Sequence, residues 1–179
     1  TRPALVESME RIGKPVEQAT RQEMRSLVCA QCHVEYFFNP NDSNRVYFPW
    51  DKGFEPEDMY AYYQEIGFSD WTHPQTGGGM LKAQHPEYEM FQGSAHQRAG
   101  LSCADCHMPY MTEGSTKISS HWLTSPFRTF EQSCAQCHRE SQEEMGQRVL
   151  NTQDRIKESL DRAGTANQDA ILAIEKAIA

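Results

Sequence analysis

Apolar residues are scarce in this chain, and nowhere do they form a long run. Only 38% of its 179 residues are hydrophobic and the mean hydropathy is −0.73, lean for a domain of this length that must bury a core of its own. No stretch approaches the roughly eighteen consecutive apolar residues of a membrane-crossing helix, so no membrane span is expected. Basic clusters are missing too. Lys and Arg total 17 against 25 Asp and Glu, a formal charge of −8, and a surface of that sign repels the phosphates of nucleic acid. Thr1-Arg2-Pro3 does not open a secretory signal, and the chain reads as a mature or excised segment.

Cysteine is absent outside three short motifs. Cys29-Ala30-Gln31-Cys32-His33, Cys103-Ala104-Asp105-Cys106-His107 and Cys134-Ala135-Gln136-Cys137-His138 use all six. Two residues between the cysteines space their thiols for thioether bonds to the two vinyl groups of a haem, and a histidine next in sequence reaches the iron from one face. Zinc ribbons also use paired cysteines, but three pairs leave one without a mate, and zinc does not require a histidine after every second cysteine. Disulfides fit less well still: haem attachment requires free thiols, and two residues between cysteines is a redox-motif spacing rather than that of a structural staple. The reading is three covalent haem c groups, whose macrocycles supply the missing apolar bulk. Covalent haem c is fitted outside the bacterial cytoplasmic membrane, so the compartment expected is the periplasm. The expected fold is mainly α: a multihaem cytochrome c whose helices and long loops are organised around covalent haems, in one region over residues 1–179.

Leu5, Val6, Met9 and Ile12 recur at helical spacing and stop at Gly13-Lys14-Pro15. A second helix is expected from about Val16 to Leu27, delivering Cys29 to its haem. Residues 39–44 read as a turn, and Arg45 to Trp50 as a short edge strand. Glu55-Pro56-Glu57-Asp58 forms the acidic first turn of a helix ended by Gly67. Gly77-Gly78-Gly79 suggests a loop that lets backbone approach something closely. Pro86 starts a helix carrying Tyr88, Met90, Phe91 and His96 as far as Gly100, and residues 111–120 read as polar loop. From about Glu140 to Arg162 a long helix carries a narrow stripe of Met145, Val149, Ile156 and Leu160, suited to a homodimer seam. Gly164 is expected to break it. A further helix with Ile171, Leu172, Ile174 and Ile178 then reaches Ala179 without a cap, as if the parent polypeptide continued.

Three haems with two histidines each need six, and the chain has seven. His33, His107 and His138 are proximal, leaving His73, His85, His96 and His121. Count alone does not choose among these four; His73, between Thr72 and Pro74, has least in its favour, while His96 on a helix and His121 beside Trp122 are better placed.

Taken together, Cys-x-x-Cys-His-Val-Glu-Tyr at 29–36, Lys82-Ala83-Gln84-His85-Pro86, Gly93-Ser94-Ala95-His96, Cys103 through Pro109 and His121-Trp122 resemble the later part of the pentahaem cytochrome c nitrite reductases, the ammonia-forming enzymes. The likeness holds in order and with similar gaps over nearly the whole chain. It implies that Tyr36 and His85 hydrogen-bond nitrite on the catalytic haem. It implies a structural calcium held by Glu35, the backbone carbonyls of Tyr36 and Lys82, and the side chain of Gln84, an oxygen-only set that suits that ion. His96 is then the distal ligand of the haem on Cys134 and Cys137, and His121 serves a haem attached before this chain. The likeness also implies six-electron reduction of nitrite to ammonium, with electrons from a quinol-linked cytochrome donor.

The sequence departs from that family in holding no C-x-x-C-K, the motif of the catalytic haem. That motif, one more C-x-x-C-H and the catalytic arginine are expected before Thr1. The distal histidines for the haems on Cys29 and Cys103 are expected before Thr1 and beyond Ala179. The expectation is a fragment holding half an active site, inactive by itself. Two alternatives stay open at this point: a stand-alone trihaem electron carrier, with distal ligands such as His73 and His85 from within the chain, and a multihaem oxidoreductase acting on hydroxylamine or a sulfur oxyanion.

Overall fold

A computed structural model describes residues 2–178. About half the chain is helical, and among the described residues strand is confined to three two-stranded antiparallel ribbons. The mainly α expectation holds. Among the described residues no helix is long and apolar enough to cross a membrane. The chain divides into two compact units, one comprising residues up to Asp70 together with Leu81–Met108, the other Trp71–Met80 and everything from Pro109 on.

In the first unit, α1 (Pro3–Arg11) starts on a proline whose fixed φ suits a first helical turn, and it buries Leu5 and Met9, one turn apart. The helix expected from Val16 splits in two: a 3₁₀ turn at Val16–Gln18, then extended backbone at Ala19 and Thr20, then α2 (Arg21–Leu27). The reason is a capping box. Thr20 Oγ1 accepts the Glu23 amide at 3.2 Å while the Glu23 carboxylate accepts the Thr20 amide at 2.8 Å, so the true helix begins after Thr20. The expected strand is realised as β2 (Arg45–Tyr47), paired with β1 (Phe37–Asn39) in the register Phe37↔Tyr47. The acidic turn opens α3 (Pro56–Glu65). The single helix expected after Pro86 becomes α4 (Glu87–Phe91) and α5 (Ala95–Arg98), separated at Gly93 by a left-handed φ of 69°. α6 (Cys103–His107) carries the second motif.

Leu5, Met9, Leu27, Ala30, Val34, Phe48, Trp50 and Tyr88 make the core of this unit. Trp50 lies 4.9 Å from Phe48 and 5.3 Å from Tyr88, centroid to centroid. Each such side chain contributes on the order of 1.5–3 kcal/mol through burial, enough to fix the link between β2 and α3 against α1 and α4.

In the second unit, β3 (Trp71–Thr72) pairs with β4 (Gly79–Met80). Gly77 serves the intervening turn through a φ of 70°, and a side chain added there meets nothing within 4 Å. Residues 111–120, read as loop, are instead a hairpin of β5 (Tyr110–Glu113) and β6 (Thr116–Ser119) that turns at Gly114. The third motif sits on a 3₁₀ turn, Cys134–Gln136. α7 then runs unbroken from Gln142 to Ile178, so Gly164 does not end the helix. An internal glycine costs only about 1 kcal/mol against alanine, and Thr165 Oγ1 bonds back to the Asp161 carbonyl at 3.0 Å across the same turn. The apolar stripe also stays in phase, because the step from Leu160 to Ile171 spans three helical turns. Met145 is buried; Leu150, Ile156, Leu160, Leu172, Ile174 and Ile178 are exposed.

Candidate functional site

Past Leu27 the chain keeps turning helically through the first motif: the amides of Cys32 and His33 donate to the Cys29 carbonyl at 3.0 and 2.9 Å. Positions i, i+3 and i+4 share a helical face. Cys29, Cys32 and His33 therefore lie on one side, with Cys32 and His33 exposed, while Ala30 and Val34 turn inward with no accessible surface. The third motif closes the same way, the His138 amide on the Cys134 carbonyl at 2.9 Å.

The second motif is tied to the first. Ser102 caps α6 by donating its amide and hydroxyl to Asp105 at 2.7 and 2.8 Å, and Asp105 also accepts Arg25 at 3.0 Å and the Gln22 side chain, both from α2. Ser26 joins the two attachment turns: its carbonyl accepts the Cys29 amide at 2.9 Å and its hydroxyl the Cys103 amide at 3.2 Å. The two thiols act on each other: the interaction with Cys103 holds the Cys29 thiol up, and the same interaction, with further help from Ser26, holds the Cys103 thiol down.

Tyr36 and His85 share one cavity. With Cys32, His33, Val34 and Phe48 among its other walls, they line a cavity of about 490 Å³, and the His33 and His85 rings stand 6.4 Å apart at 71°. Glu35, directly before Tyr36, is buried. Its Oε2 accepts the Gln84 amide at 2.7 Å and its Oε1 the Tyr63 hydroxyl at 3.0 Å. Asp70 accepts the Lys82 amide at 2.7 Å and so orients the peptide two residues before Gln84. Glu89, also buried, takes the Glu35 amide at 3.0 Å and the Trp50 indole at 2.6 Å on one oxygen; its other oxygen is buried without a hydrogen-bond partner. Burial raises Glu35 above the usual carboxylate range, opposed chiefly by the Gln84 and Tyr63 donors, and pushes Glu89 up to about 7.

These residues fit the two groups the sequence implied. A haem finds two thiols and an imidazole on one exposed face of a helical turn. A calcium ion finds at Glu35 a buried carboxylate that accepts one hydrogen bond on each oxygen. Each Glu35 oxygen, with one hydrogen bond, keeps a lone pair for a metal. Among the described residues no three His, Cys, Asp or Glu side chains converge as a metal site, so such an ion draws on carbonyls, an amide oxygen and water.

His96 is exposed on α5, and His121 is exposed in extended chain beside Trp122. His73 holds its own turn, its Nδ1 accepting the Thr76 amide at 3.3 Å. Sequence reasoning missed Tyr63, Asp70 and Glu89. Their partners lie 12 to 54 residues away, beyond any local signal.

Comparison with known proteins gives the same picture. The cytochrome c552 family profile matches residues 1–179. Among curated relatives, the cytochrome c-552 of Parabacteroides distasonis is 51% identical over 92% of the chain, and that of Bacteroides fragilis 52% identical over 88%. The chain spans about a third of their length, 33% and 32% respectively. A solved structure, described as the cytochrome c nitrite reductase of Desulfovibrio desulfuricans with two calcium sites in its catalytic subunit, superposes with a TM-score of 0.80 at 45% identity, over 97% of this chain and 38% of that one. With three attachment turns, a paired Tyr36 and His85 and a profile match from end to end, the chain belongs to the cytochrome c552 family.

Proposed function

We propose that this chain is the part of an ammonia-forming cytochrome c nitrite reductase that supplies three relay haems, a calcium site and two distal residues. The observation that carries the reading is the shared cavity of Tyr36 and His85, backed by Glu35 bound to the Gln84 amide. Glu35 and Tyr36 are consecutive, as are Gln84 and His85, so the bond at 2.7 Å holds both distal residues to one wall. Cys29, Cys32 and His33 hold one haem, Cys103, Cys106 and His107 a second, Cys134, Cys137 and His138 a third. His96 serves as distal ligand to the third, and His121 ligates a haem outside this chain. Glu35 with the carbonyls of Tyr36 and Lys82 and the Gln84 side chain holds calcium.

When bound, the haems supply electrons; the protein binds, orients and protonates. The Tyr36 hydroxyl donates to a nitrite oxygen. His85, on the same cavity wall, delivers protons as a general acid. The enzyme works in the periplasm, takes electrons from a quinol-linked cytochrome and dimerises through α7. The two other readings do not account for a calcium-type carboxylate locked behind Tyr36 and His85. The test is ammonium formation from nitrite with a strong reductant by the full-length protein, comparing parent with Tyr36→Phe and His85→Ala. Unchanged turnover in both variants, with nitrite as substrate, refutes the assignment.

A further inference from the structure

Two of the motif histidines turn the ring nitrogen that is not needed for iron toward a carboxylate. His33 Nδ1 lies 3.5 Å from Glu87 Oε2, and His138 Nδ1 lies 3.7 Å from Glu140 Oε2. On the haem reading, Nε2 is the iron-facing nitrogen in both. The carboxylates come from unrelated local structure: Glu87 opens α4, 54 positions from His33, whereas Glu140 follows His138 by two. A repeated contact reached by two routes is not a by-product of one turn.

We propose that Glu87 and Glu140 are the outer partners of these iron-ligating imidazoles and set the reduction potentials of their two haems, Glu87 the more strongly. The inference rests on the haem reading above. An imidazole that donates Nδ1–H to an anion is a stronger electron donor through Nε2, which favours ferric over ferrous iron and lowers the potential. Both separations are ion-pair distances, and a shift of about 0.6–1 Å brings each to the ~2.7–2.9 Å of a charge-assisted hydrogen bond. Every side chain involved has at least 33% of its surface accessible, so there is room for that movement. The difference in strength follows from the other neighbours. Glu140 shares its charge with Arg148, 3.2 Å from Oε1, which weakens its pull on His138. Glu87 faces a second imidazole instead, His85 Nδ1 at 3.9 Å from Oε1.

The experiment uses the full-length, haem-loaded protein and an EPR-monitored redox titration. Glu87→Gln keeps shape and removes charge; one haem is expected to move to a more positive potential with haem content and low-spin signals unchanged. Glu140→Gln is expected to move a different haem by less, and Glu158→Gln, on the exposed surface of α7, to move none. Titrations of Glu87→Gln and Glu140→Gln that overlay the parent overturn the proposal, as does an equal shift from Glu158→Gln. Should Glu87→Gln not load haem, Glu87→Ala is compared with Glu87→Asp: a shift confined to Ala supports the proposal, equal shifts overturn it. Failure of the haem reading looks different, since a His33→Ala protein would then keep all its low-spin haem signals.

Discussion

Glu35 is asked to be two things at once: a carboxylate without access to water and the anchor of a tyrosine. Burying a carboxylate away from any cation is costly, and here the compensation comes from Tyr63, the Gln84 amide and, by the proposed reading, calcium. Glu35→Ala in the full-length enzyme is expected to lower nitrite turnover about 10–100-fold with haem content intact, read as ammonium formed together with bound calcium by elemental analysis. Gln84→Ala separates side chain from backbone. It keeps the amide that meets Glu35, so calcium lost there identifies the side-chain oxygen as a ligand. Glu89 sets a pH dependence. Its folded pKa of about 7 lies above the ordinary carboxyl value of 4.5, so the folded state binds the extra proton, and the stability present below pH 4.5 is lost as pH rises through about 7. In calcium-free protein the loss is expected to be on the order of 1–3 kcal/mol; melting temperatures from pH 5 to 8 should fall in the parent and stay flatter in Glu89→Gln. At this scale the sequence was legible where residues are adjacent. Each C-x-x-C-H carries its own geometry, because helical spacing alone puts thiols and imidazole on one face. Tyr63, 28 residues from Glu35, has no such signature.

Among the elements, misreadings cluster where a single residue was weighed without its neighbours. Val16 to Leu27 looked like one helix because apolar periodicity ignores which residue satisfies the first amides; Thr20 does so with Glu23, and the helix begins there. Thr20→Ala is expected to cost about 0.5–2 kcal/mol, measured by denaturant unfolding. Gly164 was over-read in the opposite sense. A helix already propagating on both sides absorbs one glycine, and Gly164→Ala is expected to add up to about 1 kcal/mol to α7 without altering its helix content by circular dichroism. The hairpin at 110–119 escaped because its faces are mostly polar, so alternation gave no contrast. For α7 itself, an exposed stripe including Ile156, Leu160 and Ile174 has no partner that the narrow seam can bury within its own element. Replacing Val149 and Ile156 by glutamate is expected to yield a monomer by light scattering; a dimer of unchanged size would reject the seam.

For the molecule as a whole, the sparse apolar composition has one physical cause in this reading: cofactors add to a small side-chain core the apolar bulk the sequence lacks. The chain loaded with haem in a host that matures haem c is therefore expected to gain the mass of three haems, and an unmodified mass would reject the motif reading. All three motifs end in histidine, so the loaded 179-residue chain is expected to form no ammonium from nitrite. Turnover near that of the full-length enzyme would show that the lysine motif is dispensable. One residue braces the turns of both Cys29 and Cys103, so a change at Ser26 reaches at once two attachment motifs that begin 74 positions apart in the chain.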